Sequence, residues 1–204
     1  MGTKIISKQS EGHLKELDRQ KFRKNLLEEE LKSNLNSKEI SVFEAGCGHG
    51  HWLTSYCIKY PNKVCVGIDL IGQRIKKANC KKNKNGLTHL HFFKAELNEF
   101  LEVIPNKVIF EAIIFLFPDP WPKVRHHKKR MIQPNLLKNL AKRSLSGTSL
   151  YFRTDDVNYF EWTKSHIEES PFWEMDTSAP WLYEESTYFQ DLMQCYFSLV
   201  AKKV

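Results

Sequence analysis

Nothing in this chain approaches the ~20 apolar residues that a membrane-spanning helix needs: the longest apolar run, Ala112 to Phe117, lies between Glu111 and Pro118. The first twenty residues contain no apolar stretch of the kind a secretory leader requires, and Ile6 stands where an N-myristoylation signal wants serine or threonine. Neither export, nor a lipid anchor, nor a membrane partner is expected. There is no internal repeat and no low-complexity tract. The five cysteines (Cys47, Cys57, Cys65, Cys80 and Cys195) are odd in number, with no Cys-x-x-Cys pair and no zinc-like spacing to histidine. Reduced thiols in a cytoplasmic protein without a bound metal are the expectation. What remains is ordinary globular material, 204 residues at 41% hydrophobic, 12% aromatic and 27% charged, enough for one well-buried core. The net charge of +7 attracts polyanions, which makes nucleic acid a candidate partner. The oligomeric state, monomer or homodimer, is not legible.

The chain opens with an amphipathic pattern from His13 to Leu31, read as an N-terminal helical lead-in over residues 1–38. From residue 39 to 204 short β-rich runs alternate with helical patterns. Strands are expected at Ile40 to Glu44, Val64 to Asp69, His89 to Lys94, Glu111 to Phe117 and Ser149 to Thr154. Helices are expected at Trp52 to Tyr60, Gly72 to Lys82, Leu97 to Ile104, Pro134 to Leu145 and Asp156 to Glu169. Two more β-rich stretches, Phe172 to Thr177 and Met193 to Ala201, have no helix of ordinary length between them, so they form an antiparallel pair. The expected fold is α/β: a Rossmann-like, seven-stranded, mostly parallel sheet with helices on both faces and a terminal antiparallel strand pair, the sheet of class I methyltransferases.

The first strand ends in Glu44-Ala45-Gly46-Cys47-Gly48-His49-Gly50, directly before a helix. In a doubly wound sheet this turn lets backbone pass close to a ligand, and glycine has no Cβ to collide with it. The spacing is G-x-G-x-G, not the G-x-G-x-x-G that seats a pyrophosphate. With an acid just before the first glycine it points to S-adenosylmethionine, bound by Gly46, Gly48 and Gly50. Glu44 is then placed for the methionine ammonium, Asp69 for the ribose hydroxyls and Glu96 for the adenine amino group. Each acid taken alone is more simply a helix cap. Of two basic clusters, Lys76 to Lys84 is read first as a solvated face.

The denser cluster follows the fourth strand. Pro118, Pro120 and Pro122 stiffen a loop that carries Asp119 and Trp121, and then come Arg125-His126-His127-Lys128-Lys129-Arg130, suited to phosphates. This run, Phe117 to Arg130, strongly resembles the hallmark of the bacterial tRNA (guanine-N7-)-methyltransferases. The resemblance extends over roughly residues 40 to 204 and includes Arg153-Thr154-Asp155 and Thr187-Tyr188-Phe189-Gln190. It implies methyl transfer from S-adenosylmethionine to N7 of guanine at position 46, in the variable loop of tRNA. It further implies that Asp119 is the catalytic acid and that Lys123, Asp155 and Thr187 contact substrate. Arg125, His126, His127, Lys128, Lys129 and Arg130 then form the RNA-binding segment, and Gln190 a base contact. The family usually has Asn at Leu116 and Glu at Gln190. Two other readings remain open: a methyltransferase of another RNA, a small molecule or a protein side chain, and a non-catalytic RNA-binding protein on the same fold.

Overall fold

The computed structural model describes residues 11–35, 39–184 and 195–204. Among the described residues eight strands form one sheet: β1 (Glu39–Ile40), β2 (Val42–Ala45), β3 (Cys65–Asp69), β4 (Leu90–Lys94), β5 (Ile109–Leu116), β6 (Ser144–Thr154), β7 (Trp173–Met175) and β8 (Phe197–Lys203). Their order is β4-β3-β2-β5-β6-β8-β7, with β1 pairing β5 off this path. The pairs from β4 to β6 are parallel, whereas β8 is antiparallel to both β6 and β7. The strand beyond the seven expected is β1, the start of the expected first strand, split off by a bend at Ser41 whose amide donates to the Val64 carbonyl at 2.8 Å. Chain order reverses between β2 and β5, so a crevice opens at their carboxyl ends.

Side chains alternate across the sheet with period two. Phe43, Ala45, Val66 and Ile68 enter a core with α1 (Glu11–Asn34), α4 (Leu97–Val103), α5 (Pro134–Ala141) and α6 (Val157–Glu168). Val42 and Cys65 enter a second core with α2 (His51–Lys59) and α3 (Gly72–Lys84). Phe43 is stacked between Phe100 and Phe110, at 5.0 and 4.7 Å between ring centroids. The end of α1 belongs to the first core through Leu27 and Leu31, joined by Leu35 just beyond it, and Arg23 reaches Glu99 on α4 at 2.7 Å. Helix α5 stops at Ala141, short of the expected Leu145. Arg143 turns away to donate to the carbonyls of Leu101, Ile104 and Pro105, covering acceptors that the end of α4 leaves unsatisfied. No helix among the described residues is long and apolar enough to cross a membrane.

Candidate active site

The glycine turn leaves β2 by hooking onto its neighbour: the amides of Gly46 and Cys47 both donate to the Ile68 carbonyl, at 2.9 and 2.8 Å. Gly46, Gly48 and Gly50 all have positive φ (+79°, +55° and +67°), the region a side chain disfavours. Their surroundings differ. A Cβ on Gly48 would meet nothing within 4 Å, whereas on Gly50 it would lie 2.5 Å from Phe92 and 2.8 Å from the Ala78 Cβ. Gly48 therefore borders open space, and Gly50 is required by the packing of α3 and β4.

Three acids stand at this edge. Asp69, nearly buried at the end of β3, accepts from the amides of Gly48 (3.1 Å) and Ile71 (2.8 Å) and pairs with Arg74 at 3.5 Å, tying the first two loops together. Glu44 lies beneath the turn, 3% exposed, with its Oε2 unpartnered among the described residues. Burial, followed by the charge of Asp69, pushes its carboxyl up from the ordinary 4.5 to about 8. Glu96 caps α4, accepting the Glu99 amide at 3.0 Å, and also lines the cleft.

Across the crevice, the chain leaving β5 is sharply folded rather than simply extended. Phe117 and Trp121, each preceding a proline, have φ of +48° and +46°. Non-glycine residues in this region cost ~1–3 kcal/mol each and persist only where the surroundings impose them. Here Arg130 imposes the turn. Its Nε donates to the Pro120 carbonyl at 2.7 Å and a terminal nitrogen to the Asn158 carbonyl at 3.3 Å, while its guanidinium lies over Tyr159 and Trp162. Residues 124–129 form a 3₁₀ turn; Lys129 sits 4.4 Å over the Trp121 ring and His126 meets the ring edge-on at 5.8 Å. Asp119 is exposed at the rim.

The two halves enclose a cleft of about 590 Å³ whose walls include Gly46, Asp69, Glu96, Asp119, Lys128 and Lys129. The family described as "putative methyltransferase" matches residues 38–194 of this sequence. The chain belongs to that family. It is 28% identical over 137 residues to the tRNA (guanine-N(7)-)-methyltransferase of Rhodospirillum rubrum, covering 67% of this chain and 53% of that protein. It is 32% identical to the Prochlorococcus marinus protein of that name, covering 66% of each. With the Mycoplasma capricolum protein of that name it shares 26% over 176 residues, 81% of this chain and 80% of that one. The chain thus spans about half to two thirds of the length of the first two relatives. Among solved structures it resembles the aminoglycoside resistance methyltransferase NpmB1, with a TM-score of 0.57 at 14% identity, covering 87% of this chain and 93% of that one. It also resembles TrmN from Thermus thermophilus, with a TM-score of 0.58 at 13% identity, covering 89% and 48%. These likenesses show the class I methyltransferase fold.

Other expected site residues are placed differently. Arg130 is 3% exposed, so it braces the loop where an exposed phosphate contact was expected, although it too lines the cleft. His127 turns its ring edge-on to Trp162 at 5.5 Å and buries Nε2. Lys123, Arg125 and Asp155 are exposed, and they, with His126 and His127, lie off the cleft walls, as do Glu44, Gly48 and Gly50 of the expected cofactor set. Thr187 and Gln190 lie outside the described residues. Sequence reasoning missed Leu70, Ile71, Arg74, Met131 and Gln133, which also line the cleft. For the first two a signal was present: two aliphatic residues directly after the Asp69 strand end, which the fold leaves 61% and 46% exposed.

Proposed function

We propose that this chain transfers a methyl group from S-adenosylmethionine to N7 of a guanine in tRNA, the variable-loop guanine at position 46. One observation carries the reading: Gly46 of the glycine turn, the strand-end acids Asp69 and Glu96, and Asp119, Lys128 and Lys129 of the Pro-Asp-Pro turn and its basic segment line the same cleft. The relatives' names support the substrate, and the five unpaired cysteines agree with a cytoplasmic setting. The residues present fit the cofactor. The unpartnered Glu44 oxygen suits an ammonium, and the space beside Gly48 admits the methionine moiety. Asp69 and Glu96 each retain acceptor capacity beyond the amides they cap, for ribose hydroxyls and an adenine amino group. Leu70 and Ile71 offer apolar contact to the adenine face. When bound, S-adenosylmethionine supplies an activated methyl on a sulfonium, and transfer passes positive charge to the base.

Guanine N7 carries an in-plane lone pair, so no base is needed to remove a proton, and positioning and electrostatics make up the catalysis. Asp119 accepts from the N–H edge of guanine and balances the charge that develops on it. Lys128, Lys129, Lys123 and Arg125 hold phosphates, and Trp121, already capped on one side by Lys129, stacks on a base or supports the turn. Asp155, Thr187 and Gln190 are further substrate contacts. The domain boundary, a lead-in over 1–38 and a methyltransferase domain over 39–204, is part of the same proposal. The test is incubation with labelled S-adenosylmethionine and either unmodified tRNA transcript or a nucleoside and small-amine panel. Label in RNA that digests to 7-methylguanosine is expected; label confined to the small molecules would overturn the reading.

A further inference from the structure

Helix α3 carries six cations, Arg74, Lys76, Lys77, Lys81, Lys82 and Lys84, and no carboxylate. Among the described residues only Arg74 of these six forms an ion pair, with Asp69. Like charges three and four residues apart, such as Lys77 with Lys81 and Lys81 with Lys84, each destabilise a helix by a few tenths of a kcal/mol, ~0.2–0.5 per pair. The repulsion is gathered on one side. The Lys81 ammonium donates to the His49 carbonyl at 2.8 Å and lies 3.1 Å from the His51 Nε2, which brings two imidazoles of the glycine turn and α2 to the same surface. Burial first, and then nearby cations, hold both histidines below their ordinary value: Lys77, Lys81 and Arg74 for His49, Lys81 and His49 for His51.

We propose that this face, Lys77, Lys81 and Lys84 with His49 and His51, is a second contact for the phosphate backbone of the RNA, across the cleft from the 3₁₀ segment. The proposal rests on the reading of tRNA as substrate. Arg74, on the same side of α3 as Lys77, Lys81 and Lys84, lines the cleft together with Lys128 and Lys129, so cations from both segments meet at one opening. Lys77 to Lys84 spans about 10 Å along the helix, long enough to follow several phosphates of a nucleic-acid strand. An uncompensated cationic face of this kind is complementary to a polyanion, and bound phosphates relieve its self-repulsion. Lys81, fixed to the His49 carbonyl, joins this grip to the glycine turn, so an RNA held here lies beside the methyl-donor side of the cleft.

The test compares the parental chain with Lys77→Gln/Lys84→Gln, which leaves the Lys81–His49 bond intact, and with Lys81→Gln as a second variant. Affinity for unmodified tRNA is measured across a salt series, with S-adenosylmethionine affinity by calorimetry as the control for folding. Removing one lysine–phosphate pairing flattens the dependence of log affinity on log salt by ~0.7–0.9, so the double variant should lose about 1.5 and its KM for tRNA should rise ~10-fold. Cofactor affinity should remain parental in the double variant, which keeps the Lys81–His49 bond. A parental slope and KM in both variants, while the parental chain methylates tRNA, would overturn this inference and leave the function standing. A parental chain that neither binds nor methylates tRNA would overturn both. A tRNA slope that does not move while binding to anionic vesicles disappears would assign the face to a membrane and reject the proposal.

Discussion

Glu44→Gln probes the cofactor half of the site through its proton. The carboxyl, buried beneath the glycine turn and facing the charge of Asp69, holds its proton up to about pH 8, against an ordinary 4.5. Between these values the folded chain binds one more proton than the unfolded chain, so stability falls as pH rises through that window. The slope is ~1.4 kcal/mol per pH unit, which amounts to about 3 kcal/mol at pH 7 and levels off above pH 8. A neutral amide of the same shape removes this titration. Burial holds His91 down to about 4 and His49 and His51 below their ordinary value, which adds a slope of the opposite sign to both proteins, so the readout is their difference. From pH 5 to 8 the ligand-free parental protein should lose stability relative to Glu44→Gln by that slope, as read from denaturant midpoints at constant ionic strength. A bound ammonium beside Glu44 favours the carboxylate, so S-adenosylmethionine binding at pH 7 should expel close to one proton. Affinity should then tighten by up to tenfold per pH unit from about pH 5 to 8. Calorimetry in two buffers of different ionisation enthalpy measures the released proton. In Glu44→Gln the release should vanish and binding should weaken tenfold or more. Parental binding without proton release, or a Gln variant with parental affinity, would refute the reasoning.

Asp119→Asn should lower kcat by ~10²-fold with little change in S-adenosylmethionine affinity, as single-turnover methylation of tRNA would show. Arg130→Gln should also act on kcat, because the Pro120 carbonyl loses its guanidinium brace. Arg130→Lys should recover part of it, and the salt slope of tRNA binding should stay parental; a flattened slope would return Arg130 to the phosphate contacts. Gly48→Ala should fold at a cost of ~1–2 kcal/mol from its φ and lose cofactor affinity, whereas Gly50→Ala should chiefly lose stability by driving into Phe92 and Ala78, a contrast that thermal melts with and without cofactor resolve. Phe43→Ala should cost ~3–5 kcal/mol by opening the Phe100–Phe43–Phe110 stack, as denaturant titration would read.

The parallel sheet was legible because runs such as Val64 to Asp69 and Ile113 to Phe117 are apolar on both faces and alternate with helical patterns, which leaves few alternative topologies. The meeting of Gly46, Asp69, Glu96 and Asp119 in one cleft follows from each standing at a strand's carboxyl end. What escaped the sequence depends on partners far along the chain. Arg130 looked like one more cation in a basic run, and only Tyr159 and Trp162 on α6 make an aromatic bed that draws it inward. The bend at Ser41 answers to the Val64 carbonyl, and the early end of α5 answers to the carbonyls closing α4. Gly50 shares its spacing with Gly48, yet Phe92 decides its role. Arg153, legible only as part of an Arg-Thr-Asp run, is buried between Trp181 and Tyr196 and forks onto Glu184 at 3.0 and 3.1 Å.

The central claim is tested most directly by finding where the methyl group lands. Unmodified tRNA transcript is incubated with the purified chain and S-adenosylmethionine, reduced with borohydride and cleaved with aniline, which cuts at 7-methylguanosine. Mass spectrometry of the nuclease digest provides the second readout. A single cut at the variable-loop guanine, absent with Asp119→Ala, is the predicted result. Methyl groups on another base atom or at another position, or parental turnover in Asp119→Ala, would contradict the account.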